Sequence, residues 1–260
     1  MTTSPQIPDW LGVLASVLLV GIAVAVSMRA RLGLTRELLW AAARAFVQLV
    51  AVGAVLTILF TRAGLVGALL WVSGMVVIAG FVAAGRSRGL PKGRQIAWVA
   101  VGSGTATTVG VLLLVGVIEP VPSVVVPVGG MVVSGAMTAA SLTMRHLADI
   151  ADTQRSDIEA RLALGLTSEE AMAPHLRRAA TLALVPAIDS TKVVGLIALP
   201  GAMTGLILAG VEPIVAVRYQ IVVMYMLLAS ASVSAIVATR LTRGALFDEA
   251  DRLFRVKSSA

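Results

Sequence analysis

Two side chains of opposite charge stand close together in one of the apolar stretches of the chain. Asp189 and Lys192 are three residues apart, a spacing that places both on one face of a helix, where they can pair. Charges at the depth of a membrane cost roughly 3 kcal/mol each, so such groups either pair or line a path for a solute. We predict that Asp189 and Lys192 line a translocation path, with Asp189 as a candidate oxygen ligand for a cation. An ion pair that only holds helices together is the alternative.

Further polar and sulfur-containing side chains recur at helical spacing in other apolar segments. Met131 and Ser134 fall on one face of a helix, with Met137 nearby, and Gln48 lies deep in a separate segment. We predict these four residues as part of the same path, together with Met203 after the Pro200-Gly201 break. Thioethers favour soft ions such as Cu(I), but methionine also fills cores, so the metal ligands stay unassigned.

Catalytic chemistry has little support in this sequence. The chain has no cysteine and only two histidines, and no Gly-Lys-Ser/Thr sequence is present. Thiolate sites and an ATP-binding P-loop are therefore excluded. We expect no catalytic residue, no enzyme activity and no cofactor bound by this chain itself.

The composition identifies the elements that must position these residues. Of the 260 residues, 58% are hydrophobic and 13% are charged, and the mean hydropathy is +0.93. Soluble domains are about half apolar and a quarter charged. The sequence therefore predicts an all-α polytopic membrane protein in contact with the lipid bilayer.

About seven apolar runs are long enough to cross a bilayer as helices. They are Trp10–Met28, Leu38–Phe60, Leu65–Ala84, Ile96–Val117, Val124–Met144, Ala179–Leu199 and Ile214–Thr239. No basic segment precedes the first run, so we expect a transmembrane helix there and not a cleaved signal.

Most basic residues follow alternate runs, which predicts the orientation. These residues are Arg29, Arg31, Arg36, Arg86, Arg88, Lys92, Arg94, Arg145, Arg155, Arg161, Arg177, Arg178, Arg240, Arg243, Arg252, Arg255 and Lys257. The positive-inside rule then gives an outside N-terminus and a cytoplasmic C-terminus. We attribute the net charge of +7 to these loops and expect no nucleic-acid partner.

The segment 145–178 is a cytoplasmic insertion between the fifth and sixth runs. Its spacing predicts that the fifth helix continues into the cytoplasm and stops at Gly165. A capping box at Thr167 and Glu170 starts the next helix, and Pro174 is expected to limit that helix to about two turns.

The tip of this insertion carries apolar residues that we expect to be exposed, namely Leu164, Leu166 and Met172. Such groups suit a docking element that enters a groove of a cytoplasmic partner. A solvated connector is the alternative.

The stretch Glu159-Ala160-Arg161-Leu162-Ala163-Leu164-Gly165 resembles the EAA loop of ABC-transporter permeases. The resemblance implies a coupling helix that sits in a groove of a separate ATPase subunit. The implied ATPase-coupling residues are Glu159, Ala160, Leu164, Gly165, Leu166 and Thr167.

Nearly the whole chain also resembles the FetB family of iron-export ABC permeases, which includes plant aluminium-tolerance proteins. The matching stretches are 44–49, 130–131, 136–137, 162–167, 185–196, 199–207 and 219–220. The resemblance implies one transmembrane permease domain over 1–260 that works as a homodimer in the cell membrane. It also implies a partner ATPase that binds ATP and Mg²⁺, and export of iron or another metal-related solute. An ion-coupled secondary transporter or channel that uses the Asp189–Lys192 pair is the alternative.

Overall fold

The computed structural model describes residues 9–62, 64–86, 89–248 and 250–254, and these residues form nine α-helices. The helices are α1 Trp10–Arg29, α2 Thr35–Arg62, α3 Gly64–Arg86, α4 Gly93–Leu114, α5 Pro122–Thr153, α6 Arg155–Ala163, α7 Ser168–Val193, α8 Gly201–Leu208 and α9 Pro213–Leu246. The all-α prediction is confirmed over the described residues. Residues 1–8 lie outside them, as do Arg88, Arg255 and Lys257, which contributed to the predicted orientation.

Six of the described helices are long and apolar enough to cross a membrane. They are α1, α2, α3, α4, α5 and α9. Each overlaps one of the predicted runs, so the polytopic membrane character is confirmed. The predicted run Ala179–Leu199 corresponds to α7, which is not one of the six because Arg177, Arg178, Asp189 and Lys192 shorten its apolar stretch.

The predicted bounds Ala179–Leu199 are wrong for this helix. α7 begins at Ser168, eleven residues earlier, and ends at Val193. The helix ends because Val194 is extended and Gly195 has φ +82°, a conformation that glycine adopts without a steric penalty. A short turn then leads to Pro200, which precedes α8.

The expectation that Pro174 limits this helix to about two turns is also wrong. α7 contains both Pro174 and Pro186 and extends over 26 residues. Ala171, Met172 and His175 flank Pro174 and are all buried. Packing on both sides of the proline therefore outweighs the loss of one backbone hydrogen bond.

The contacts of the backbone divide the chain into two compact units, one up to residue 63 and one from residue 64. The first unit contains α1 and α2. Asp9 caps α1 by accepting a 2.8 Å hydrogen bond from the backbone N–H of Gly12. Arg31 and Gly33 have positive φ angles in the turn that reverses the chain into α2. That one permease domain spans 1–260 stays a prediction.

The second unit is built around α5, which packs against α3, α4, α7 and α9. Small residues allow these helices to approach closely. An ideal Cβ at Gly104 of α4 would lie 2.1 Å from the Ser234 hydroxyl of α9. That hydroxyl donates a 2.9 Å hydrogen bond to the backbone oxygen of Ala100. This bond connects α9 to the backbone of α4.

Candidate coupling segment and translocation cavity

The predicted coupling segment, residues 145–178, contains the junction between α5, which ends at Thr153, and α6, which starts at Arg155. Gln154 separates the two helices with φ −112° and ψ 23°. The predicted continuous helix is therefore interrupted once. α6 then extends over nine residues, which include Asp157, Ile158, Glu159 and Arg161, before the chain reverses.

The reversal after α6 is a Schellman motif. Gly165 has φ +87° and donates a 2.9 Å backbone hydrogen bond to Leu162, while the N–H of Leu166 donates at 3.3 Å to the backbone oxygen of Arg161. A residue with a Cβ is strained at this φ. The predicted helix stop at Gly165 is confirmed.

The start of α7 is a reciprocal capping box, as predicted. The N–H of Glu170 donates to Thr167 Oγ1 at 3.3 Å, and the N–H of Thr167 donates to Glu170 Oε2 at 3.0 Å. The backbone and side-chain hydrogen bonds from Thr167 lower the pKa of the Glu170 carboxyl below its ordinary value of 4.5. Together, the Schellman motif at Gly165 and the capping box at Thr167 limit the connection between α6 and α7 to a turn of a few residues.

The tip of this turn exposes leucine side chains. Leu164 is 83% exposed and Leu166 is 38% exposed. Glu159, Ala160, Gly165 and Thr167 are exposed too, so each of the predicted coupling residues is accessible in the single chain. Met172 does not belong to this surface, because it is fully buried. A patch of this kind can be covered by a partner protein.

A short C-terminal strap, which we define as residues 247–254 without residue 249, lies against α6. The Arg155 guanidinium donates hydrogen bonds to the backbone oxygens of Leu253 at 2.9 Å and Phe254 at 3.2 Å. Arg155 also pairs with Glu159 at 2.7 Å. Sequence reasoning missed this contact, because Arg155 and Leu253 lie 98 residues apart.

Two side-chain contacts connect α7 to its neighbours. Glu169 in the first turn of α7 pairs with Arg243 of α9. The Nε2 atom of the buried His175 lies 3.3 Å from Asp157 Oδ2 of α6, without the angle of a hydrogen bond. Asp157 also accepts a 3.1 Å hydrogen bond from Arg161. The coupling segment is therefore held by side chains from α6, α7 and α9.

A cavity of about 640 Å³ opens between α5, α7 and α9. Two of the predicted path residues, Met131 and Ser134, line it together with Thr138 of α5. Ser190 of α7 adds a further hydroxyl that the sequence reasoning did not single out. The walls are mainly alanine, glycine, leucine and proline, which leaves these few polar atoms to contact a solute.

A proline from each of two helices borders this cavity, Pro127 of α5 and Pro186 of α7. Proline has no N–H, so the carbonyl four residues earlier loses its helical partner. In α7 that carbonyl belongs to Leu182. Both helices continue through these prolines, so each freed carbonyl lies within an unbroken helix.

The other predicted path residues are not among those that line this cavity. Asp189 and Lys192 pair at 3.6 Å, but their side chains are 61% and 70% exposed. Met137 does not line the cavity. Gln48 is exposed on α2 of the first unit. Met203 lines a second cavity of about 450 Å³ between α7, α8 and α9. Of the predicted path residues, Met131 and Ser134 alone line the first cavity, while Asp189 and Lys192 pair with each other outside its lining.

Histidine and carboxylate ligands are not clustered in the described part of the chain. Among these residues no group of three or more His, Cys, Asp or Glu side chains is placed to hold a metal ion. The polar groups of both cavities are neutral hydroxyls, thioethers and one amide.

Comparisons with known proteins agree with this architecture. A rice protein (Oryza sativa subsp. japonica), "UPF0014 membrane protein STAR2", is 44% identical over 92% of this chain and 84% of its own length. "Protein ALUMINUM SENSITIVE 3" of Arabidopsis thaliana is 38% identical over 92% of this chain and 88% of its own. "Probable iron export permease protein FetB" of Escherichia coli K12 is 38% identical over 87% of this chain and 88% of its own.

No solved structure matches the chain. The sequence model of one protein family, described as "Uncharacterised protein family (UPF0014)", matches residues 10–247 of this chain. The FetB relative confirms the predicted resemblance to FetB-like permeases. The chain is therefore a multi-pass membrane protein that belongs to the UPF0014 family.

Proposed function

We propose that the chain is the membrane-spanning permease subunit of an ABC transporter, which exports iron or another metal-related solute. The observation that carries this proposal is the coupling segment. A Schellman stop and a capping box build a short turn, and this turn presents the 83% exposed Leu164 where an ATPase groove can receive it. A solvated connector needs no exposed leucine at its tip.

The energy for transport comes from the partner in this proposal. The chain contains no P-loop sequence, so ATP and Mg²⁺ are bound by the ATPase subunit and this chain performs no catalysis. The N-terminus lies outside and the C-terminus is cytoplasmic, which places the coupling segment and the strap on the ATPase side of the cell membrane. α7 is the seventh span.

The permease works as a homodimer in this proposal. Asp189 and Lys192 are 61% and 70% exposed in the single chain, and a charge that faces lipid is costly. A second copy that packs against this end of α7 removes both side chains from lipid. Solute passes through the cavity lined by Met131 and Ser134. ATP binding by the partner opens this cavity to alternate sides of the membrane.

The test is co-purification of the tagged chain with a candidate ABC ATPase that is expressed together with it. We expect Leu164→Glu to abolish the complex, because a charged side chain is costly to bury in an apolar groove. Leu32→Glu is the matched control, since Leu32 is also an exposed leucine (57%) in a turn that the basic residues assign to the same side. It should leave the complex intact.

Two results would contradict the proposal. One is an ATPase that stays bound to Leu164→Glu as tightly as to the wild type. The other is the failure of the wild type to bind any ABC ATPase while its transport collapses with the membrane ion gradient. The second result would favour the ion-coupled alternative, in which Asp189 and Lys192 at 3.6 Å exchange the coupling ion.

A further inference from the structure

The second cavity, between α7, α8 and α9, contains a buried amide without a partner. Gln220 is only 4% exposed, and neither its Oε1 nor its Nε2 has a hydrogen-bond partner among the described residues. A buried polar group left in this state costs about 1 to 3 kcal/mol. Because both amide atoms are enclosed, the Gln220 side chain must turn toward the cavity before a ligand there can satisfy its oxygen.

The cavity places two thioethers beside this amide. Met224 follows Gln220 by one helical turn, so both side chains lie on the same face of α9. Met203 reaches the same space from α8, and the cavity measures about 450 Å³. Methionine is often a core filler, but here two of the ten methionines face one cavity from different helices.

The remaining polar groups of this cavity are neutral. Thr191 of α7 and Tyr225 of α9 supply hydroxyls, and no Asp, Glu, Lys, Arg or His side chain is among the described residues that line it. A bare divalent or trivalent ion would therefore bring charge that nothing here balances. Thioether sulfur and an amide oxygen suit a soft ion of low charge.

We propose that this cavity binds a soft monovalent metal cation, with the sulfurs of Met203 and Met224 and the side-chain oxygen of Gln220 as its ligands. Cu(I) is the cellular cation of this chemistry, and Ag(I) is its redox-inert analogue. The binding site does not depend on an ATPase. Only its role as a station for cargo rests on the transport function proposed above.

The test is Ag⁺ binding to the purified full-length chain in detergent, in a nitrate buffer free of chloride. Because the chain has no cysteine, no thiol competes with the methionines for Ag⁺. We expect Met203→Leu and Met224→Leu, which nearly conserve volume, each to weaken one binding event. Loss of a residue that only supports a metal ligand typically weakens metal affinity roughly tenfold or more. Loss of a direct ligand should weaken the affinity for Ag⁺ by at least as much.

The control is Met28→Leu, since Met28 is exposed (62%) on α1 and should leave the tight site unchanged. A second measurement is oxidation by dilute peroxide followed by mass spectrometry. Ag⁺ should protect Met203 and Met224 of the wild type and leave Met28 unprotected.

Two outcomes would overturn the proposal. Either the double variant Met203→Leu/Met224→Leu binds Ag⁺ as tightly as the wild type, or Met203 and Met224 oxidise at the same rate with and without Ag⁺. Both readouts use the isolated chain, so they succeed or fail independently of ATPase co-purification.

Discussion

The guanidinium of Arg155 donates a 2.9 Å hydrogen bond to the backbone oxygen of Leu253, 98 residues further along the chain. This bond joins the first turn of α6 to the C-terminal strap. The strap follows α9, and α9 also holds the start of α7 through the Arg243–Glu169 pair. A force applied at the coupling segment can therefore reach α9 directly, in addition to α5.

The first prediction concerns this bond. Arg155→Ala should release the strap, because it removes two charged hydrogen bonds to backbone oxygens, worth together roughly 1 to 3 kcal/mol of local stability at this partly exposed site. Hydrogen exchange of the amides of Asp248 and Phe254 should become faster, since each N–H bonds within the strap or to Leu246. Mass spectrometry of C-terminal peptides measures this change.

Arg161→Ala is the control for this variant. Arg161 belongs to the same helix and is similarly exposed, but it pairs with Asp157 and not with the strap. Equal acceleration in both variants would mean that loss of any α6 arginine loosens the strap, and that the Arg155 bonds are not responsible.

The second prediction concerns the turn at Gly165. Gly165→Ala should lower the stability of the chain by about 1 to 2 kcal/mol, because alanine is strained at φ +87°. Space is not the cause, since an added Cβ would meet nothing within 4 Å. Thermal unfolding in detergent measures the change.

Gly205→Ala is the matched control. A Cβ at Gly205 also meets nothing within 4 Å, but this residue is helical and has no positive φ. We expect it to raise stability by up to about 1 kcal/mol, the helix preference of alanine over glycine. The hypothesis is wrong if the two alanines shift the unfolding temperature in the same direction.

The third prediction is a pH dependence that originates at Glu170. Its pKa is lowered in the folded state by the Thr167 hydrogen bonds, so the folded chain binds this proton less readily than the unfolded chain. The stabilisation is complete above the ordinary pKa of 4.5 and is lost as the pH falls through the folded-state value. Thermal unfolding of wild type and Glu170→Gln should therefore differ at pH 7 and converge toward pH 4 and below.

A double-variant cycle isolates the contribution of the Thr167 hydroxyl to this dependence. Thr167→Ala removes the hydrogen bond from Thr167 Oγ1 to the Glu170 carboxylate but keeps the backbone N–H of residue 167 as a donor. In this background the effect of Glu170→Gln on stability should depend less on pH. A pH dependence of unchanged size would exclude the hydroxyl as a cause of the lowered pKa.

The fourth prediction concerns the cavity between α5, α7 and α9. The chain has no cysteine, so Ser134→Cys is a unique thiol on the cavity wall. Its rate of reaction with a hydrophilic maleimide should change when ATP is added to the complex with the ATPase, because alternating access changes the contact of the cavity with water.

Ser73→Cys is the control for this labelling. Ser73 lies on α3, is exposed and does not line the cavity, so its reaction rate should not respond to ATP. A complex that hydrolyses ATP while Ser134→Cys reacts at a constant rate would exclude this cavity from the translocation path.

Several features of the chain follow from the sequence alone because their causes are local. Apolar runs that are long enough to cross a bilayer form helices, because lipid offers the backbone no hydrogen-bond partner. Gly165 ends α6, and Thr167 with Glu170 starts α7, because each signal acts through hydrogen bonds within three to five residues. The bounds of α1 to α4 agree with the predicted runs within three residues, whereas α7 begins eleven residues before its predicted start.

Only the tertiary structure decided how these elements combine. The helix around Pro174 continues because distant helices bury Met172 and His175, and Arg155 contacts Leu253 because α9 returns the chain to α6. The burial of the Gln220 amide without a hydrogen-bond partner is likewise a property of the packed helices. Such contacts join residues far apart in the chain, whereas sequence periodicity reports only which face of one helix is apolar, not which helix covers it.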